Sequence, residues 1–166
     1  ATNAGYTTTT TGAVSTVTQS SLTVSGYLGS DAVTISMYDT AKDAAEAVNN
    51  SSAITGVSAQ AVTKAKIYSV GEGSLSFTLY GKNNTSGSGV AVSANITDTN
   101  DLTELAAAFN LVSAQTGVTA ELSTGKDYII VTNSEGYDIG IENYDTNASD
   151  TTISIKAYTG DGTALT

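Results

Sequence analysis

The chain contains no histidine, cysteine, proline, tryptophan or arginine, and each absence closes a route. Without cysteine there are no disulfides, thiolate nucleophiles or cysteine-bound metals. Without histidine the commonest general base and the commonest metal ligand are both missing. Without arginine there is no bidentate clamp for phosphate or carboxylate. Charge is scarce as well: charged residues make up 13% of the sequence, about half the ~25% of typical soluble domains. Six lysines face 16 acidic residues, for a net charge of −10. Such a field repels nucleic acid, whose binding rests on neutralising phosphates, and it disfavours anionic membrane surfaces. No apolar run approaches the ~20 residues of a membrane span, and no basic segment leads into an apolar one at the start. The sequence opens on Ala1 rather than Met, which fits a processed protein or an excised segment. The absence of cysteine leaves the redox compartment open. Most enzyme chemistries are disfavoured, and most binding to polyanions is excluded.

What is present can fold. At 166 residues and 40% hydrophobic, the chain can bury roughly 70% of the surface its unfolded form exposes. One compact domain, or two small ones sharing a seam, is expected. The 28 threonines and 20 serines wet the surface with neutral oxygens.

The most informative feature is a duplication. Shifted by 61 positions, residues 40–60 fall on residues 101–121 without a gap, and nine of the 21 pairs are identical. Among them are Ala45/Ala106, Asn49/Asn110, Ala53/Ala114 and Thr55-Gly56-Val57 on Thr116-Gly117-Val118. Thr40 with Asp43, and Asp101 with Glu104, have capping-box spacing. Behind them Ala41, Ala44, Ala45 and Val48, and Leu102, Leu105, Ala106 and Phe109, follow the i, i+3, i+4 spacing of an apolar helix stripe. Two helices are predicted, ending near Ser51 and Ala114 before each Thr-Gly-Val turn. The first stripe is mostly alanine and buries little.

Around each helix the period changes to two. Strands are predicted over 33–37 and 90–96 before the helices. After them come 65–70 and 75–80 in the first copy, and 128–132 and 137–142 in the second. Extended segments at 14–18, 22–24 and 152–158 stand at the two ends. Turn residues occupy 71–73, 124–127 and 133–136, and polar loops occupy 7–11, 83–89 and 145–150. The expected fold is α+β: two tandem β-α-β-β-β units of about 60 residues, with small antiparallel sheets and extra strands at both termini. The organisation expected is incoming strands and linker over 1–30, a first unit over 31–81, a second over 82–144 and a return strand over 145–166. Segments 14–24 and 152–158 are expected to lie side by side as a base for both units.

The chemical motifs give way to structural readings. Ser123-Thr124-Gly125-Lys126 has the S-x-x-K spacing of a lysine-activated serine, but no companion motif exists and the residues fall where a hairpin turn belongs. Asp39, Asp43, Glu46, Asp101 and Glu104 cluster at helix starts, where the helix dipole favours negative charge. Asp145-Thr146-Asn147-Ala148-Ser149-Asp150 offers alternating oxygens for calcium, yet lacks the glycine an EF-hand needs and carries Lys156 at the position of its bidentate glutamate. Asp98-Thr99-Asn100-Asp101 fails at Leu102. Gly71-Glu72-Gly73 precedes a strand and not a helix, so it is no dinucleotide fingerprint. The nine tyrosines read as strand packing with hydroxyls at the edge. Sequons at Asn50, Asn83, Asn84, Asn95 and Asn147 arise cheaply in a chain this rich in serine and threonine.

The duplicated segment resembles a known family pattern. Asp43-Ala-Ala-Glu-Ala-Val-Asn-Asn50, Thr55-Gly-Val-Ser-Ala59 and Leu75-Ser-Phe-Thr-Leu79 are similar to the flagellin hook IN motif. So are Leu102-Thr-Glu-Leu-Ala-Ala-Ala-Phe-Asn110, Thr116-Gly-Val-Thr-Ala120 and Tyr137-Asp-Ile-Gly-Ile141. The resemblance implies the variable, outward-facing D2/D3-type region of a bacterial flagellin, a structural, non-catalytic and extracellular module of the flagellar filament serving motility. Domains of the filament cap, hook-associated protein 2, carry the same motif and form the alternative, beside an extracellular adhesin or carbohydrate-binding module. No catalytic residue, cofactor or metal is implied. The implied partners are other flagellin subunits, reached through parent segments absent here, with no nucleic acid and no membrane. The isolated chain is expected to be a monomer, since −10 opposes self-association.

Overall fold

The computed structural model describes residues 17–147 and 153–158. Two short hairpins, each followed by a helix pair, set its plan. The first comprises β1 (Ser20–Ser25), β2 (Ser30–Ile35), α1 (Ala41–Asn50) and α2 (Ser52–Thr55), and leads into β3 (Thr63–Tyr68). The second comprises β4 (Gly73–Tyr80), β5 (Val90–Ile96), α3 (Thr103–Leu111) and α4 (Ser113–Thr116). It leads into β6 (Val118–Leu122), β7 (Tyr128–Asn133), β8 (Gly140–Thr146) and β9 (Ser154–Ala157). The α+β class with small antiparallel sheets matches expectation.

Strands from the two halves share sheets. β1 pairs with β2 alone, β5-β4-β8 form a three-stranded sheet, and β6-β7-β3-β9 form a four-stranded one, antiparallel throughout. Thus β3, from the first half, sits between β7 and β9, with Ala65 opposite both Val131 and Ala157. The expected pairing of 14–24 with 152–158 is not what forms: β1 takes β2 through a four-residue hairpin loop, and β9 takes the open edge of β3. Local hairpin closure wins over the long-range pairing because its loop entropy cost is small. Positions 14–16 and 152 of that expectation lie outside the described residues.

The contiguous core belongs almost wholly to the second half. Leu102, Leu105, Phe109 and Val112 from the α3 region meet Leu75, Phe77, Leu79, Val92 and Ile96 of one sheet and Ile67, Val118, Ile129 and Val131 of the other. The Phe77 and Phe109 rings lie 5.3 Å apart and tilted, a favourable aromatic arrangement. α1 buries no residue, as its alanine stripe foretells.

Two local expectations are corrected. Thr40 and Asp43 form the full capping box on α1, but Asp101 and Glu104 do not form one on α3. There Leu102 stands at the N-cap, fully buried in the core, and Asp101 instead accepts hydrogen bonds from the Thr103 backbone and hydroxyl. Burying Leu102 outweighs an exposed cap worth ~1 kcal/mol. The strand expected at 137–142 begins only at Gly140. The Asn133 side chain accepts from the Glu135 and Tyr137 backbones, and Gly136 is left-handed, so the chain must finish a turn first.

Candidate functional site

The duplicated residues build the same device twice. Asn49 donates from its side-chain amide to the Ala59 carbonyl at 3.0 Å and accepts from the Ala59 N–H at 2.8 Å. Asn110 does the same with Ala120, at 2.9 and 2.8 Å. Each asparagine thereby satisfies both backbone groups of one residue, as a neighbouring strand would. Between them the Thr55 hydroxyl donates to the Ser51 carbonyl and accepts from the Val57 N–H, and Thr116 repeats this with Val112 and Val118. Both threonines are fully buried. Gly56 and Gly117 are left-handed, at φ 72° and 69°, closing each helix pair as C-cap glycines do. The Asn…Thr-Gly-Val-x-Ala pattern is a helix-to-chain clamp.

The clamp reaches back to its own hairpin. A Cβ at Gly26 would overlap the Thr55 carbonyl oxygen and Val57, and a Cβ at Gly81 would overlap Thr116 and Val118 in the same way. Gly26 ends β1 and Gly81 ends β4, so the two hairpins are equivalent. The sequence carries the signal: Ser21-Leu22-Thr23-Val24-Ser25-Gly26 aligns with Ser76-Phe77-Thr78-Leu79-Tyr80-Gly81 at an offset of 55. The longer β4–β5 loop moves this offset away from 61, which hides the match from a single sliding register. Asn83 orders that loop, accepting from the Gly81 N–H and donating to the Leu79 and Ser88 carbonyls.

Comparison with family models decides the relationship: the flagellin hook IN motif matches residues 21–69 and again 74–135, about two-thirds of the chain. The chain belongs to the flagellin hook IN family. It carries two tandem copies of the motif and has a flagellin-related structural role. Both matched segments contain a hairpin, a helix pair and the clamp. No curated protein matches the chain.

The chemical candidates fall into structural roles. Ser123 and Lys126 sit in the β6–β7 turn, where the Lys126 N–H donates to the Ser123 carbonyl. The Ser123 hydroxyl donates to Asp127, while the Lys126 ammonium pairs with Asp101 at 2.9 Å. Thr103 and then Lys126 hold the Asp101 carboxyl down at about 2. Asp39 accepts from the Ser36 N–H, and Glu46 pairs with Lys42. Among the described residues no three carboxylates converge as metal ligands, and residues 148–150 of the calcium-like stretch lie outside the description. No helix among them is long and apolar enough to cross a membrane. Tyr27 and Tyr38 are exposed, contrary to strand packing, whereas Tyr68, Tyr80, Tyr128, Tyr137, Tyr144 and Tyr158 are buried or half-buried as expected.

One acid departs from its ordinary behaviour. Burial, and then the neighbouring Asp43, push the Asp138 carboxyl up to about 6. One of its oxygens is buried without a hydrogen-bond partner. It lies at the seam between the copies, where the Lys42 N–H donates to Gly136 and the Lys42 ammonium rests 5.6 Å from the Tyr137 ring. An open groove of about 340 Å³ runs beside this seam, lined by Lys42, Glu46, Gln60, Ser134 and Glu135 among others. The apolar Ala45, Ala61 and Val62 complete its lining.

Proposed function

We propose that the chain is a non-catalytic, solvent-facing outer region of a flagellar filament subunit, contributing to the filament surface in motility. The observation that carries this reading is the tandem motif itself: two clamped copies in which the duplicated asparagine and threonine hold helix to chain. A surface rich in threonine and serine and poor in charge suits a module that faces solvent without doing chemistry. The polymerising contacts would come from other segments of the parent subunit. We further propose that the copies run from β1 and from β4, rather than over 31–81 and 82–144, supported by the matched hairpins.

Immunogold labelling of intact cells with antibody raised against this chain tests the placement. Label along whole filaments is the expected result. Label confined to filament tips would mean the cap protein, and label on the cell surface away from filaments would mean an adhesin.

A further inference from the structure

We propose that the exposed edge of β1 pairs with β1 of a second copy of this chain, joining two hairpins into one four-stranded sheet. The internal duplication supplies the template. β4 is the equivalent of β1, and its outer edge is taken by β8, whose Ile141 opposite Leu79 adds to the core. Among the described residues β1 pairs only with β2. What differs is cover: Phe77 and Leu79 of β4 are 4% and 0% exposed, whereas Leu22, at the position of Phe77, is 49% exposed. A two-stranded sheet is marginal alone, and an uncovered edge is a template for another strand.

Among the described residues the edge carries none of the usual protection. Ser20–Ser25 contains no charge and no proline, where a managed edge would hold a lysine or a bulge. Across residues 17–38 the only charged side chain is Asp31. In a chain of net charge −10, a face this poor in charge offers a second copy little repulsion. The net-charge argument for a monomer therefore does not apply at this face.

The apolar groups around the edge suit an antiparallel, two-fold pairing. Tyr27, Leu28 and Ile54 are exposed at the hairpin tip, and Val17, Met37 and Tyr38 are exposed at its base. Pairing centred on Thr23, with each Thr23 opposite the other, lays the tip of one hairpin beside the base of the other, twice over. Each contact is then repeated by symmetry, as an isologous interface requires. This proposal rests on the fold and not on where the chain sits in the cell.

Sedimentation velocity of the intact chain at physiological salt, across a wide concentration series, reads the result. The expected outcome is a reversible shift toward the dimer. Thr23 is exposed and opposite Ala32, so Thr23→Glu and Thr23→Lys leave the hairpin intact, which circular dichroism checks. Each variant alone should lose the dimer, because like charges meet across the two-fold axis. An equal mixture of the two should regain it. A wild-type chain that stays monomeric throughout, variants that dimerise as well as wild type, or a mixture that fails to recover would each overturn the proposal.

Discussion

The two motif copies share one clamp and differ in what surrounds it. In the second, α3 presents Leu102, Leu105 and Phe109 between two sheets, and all three are buried. In the first, α1 presents Ala44, Ala45 and Val48 to a two-stranded sheet, and none of them is fully buried. The motif's polar geometry thus survives without a shared core. The hydrogen bonds of Asn49 and Asn110 agree to within about 0.1 Å, though one helix is anchored by a phenylalanine and the other by a valine at the same position. Clamp and core are separable: the clamp fixes the path of the chain, and the core supplies most of the stability.

The largest expected effect breaks that asymmetry at Phe109 and its counterpart Val48. Phe109→Ala should cost about 3–5 kcal/mol in urea denaturation, because it opens a cavity against Phe77. Val48→Ala, at a half-buried site, should cost under about 1 kcal/mol. Equal losses would mean that the copies are packed alike after all.

The clamp offers a sharper comparison. Asn49→Ala and Asn110→Ala each remove two hydrogen bonds to a single backbone residue, so each should cost about 1–2 kcal/mol locally. Only Asn110→Ala should move the global unfolding midpoint by that amount. Asn49→Ala should appear chiefly as faster amide exchange over α1 and Ala59. A full global shift from Asn49→Ala would show that the first copy unfolds with the core.

The seam between the copies titrates in a predictable direction. Asp138 holds its proton more tightly in the folded chain, with its pKa near 6, than unfolded near 3.9. The folded state therefore carries more protons between roughly pH 4 and 6, and stability falls as pH rises through that window. The loss is complete above it. Solvent screening at this partly exposed site leaves about 1 kcal/mol, and Asp138→Asn should remove the slope and stabilise the chain at neutral pH. Asp101 acts in the opposite sense: its lowered pKa contributes stability above about 4, lost as pH falls toward 2.

Much of this was legible in the residues. The 61-residue offset located both helices, both Thr-Gly-Val turns and the capping box of Thr40 and Asp43. The alanine stripe of α1 announced its thin packing. What escaped had physical reasons. β6 was missed because residues 118–122 form a strand only against β7, after the Ser123–Lys126 turn that has no counterpart in the first copy. There residues 57–62 run straight into β3, which pairs instead with β7 and β9. The equivalence of β1 and β4 was hidden by a hairpin loop of different length. Asn49 and Asn110 were visible as an identity, but their role needed the ten-residue reach to Ala59 and Ala120 that only the folded chain supplies.

Native-state hydrogen exchange, at a concentration low enough to keep the chain monomeric, tests the separation of clamp from core most directly. The amides of α3 and of β4 should exchange only through global unfolding. Those of α1 and of the β1–β2 hairpin should exchange through local opening of lower free energy and lower denaturant dependence. A single opening free energy shared by α1 and α3, with the same denaturant dependence, would contradict it.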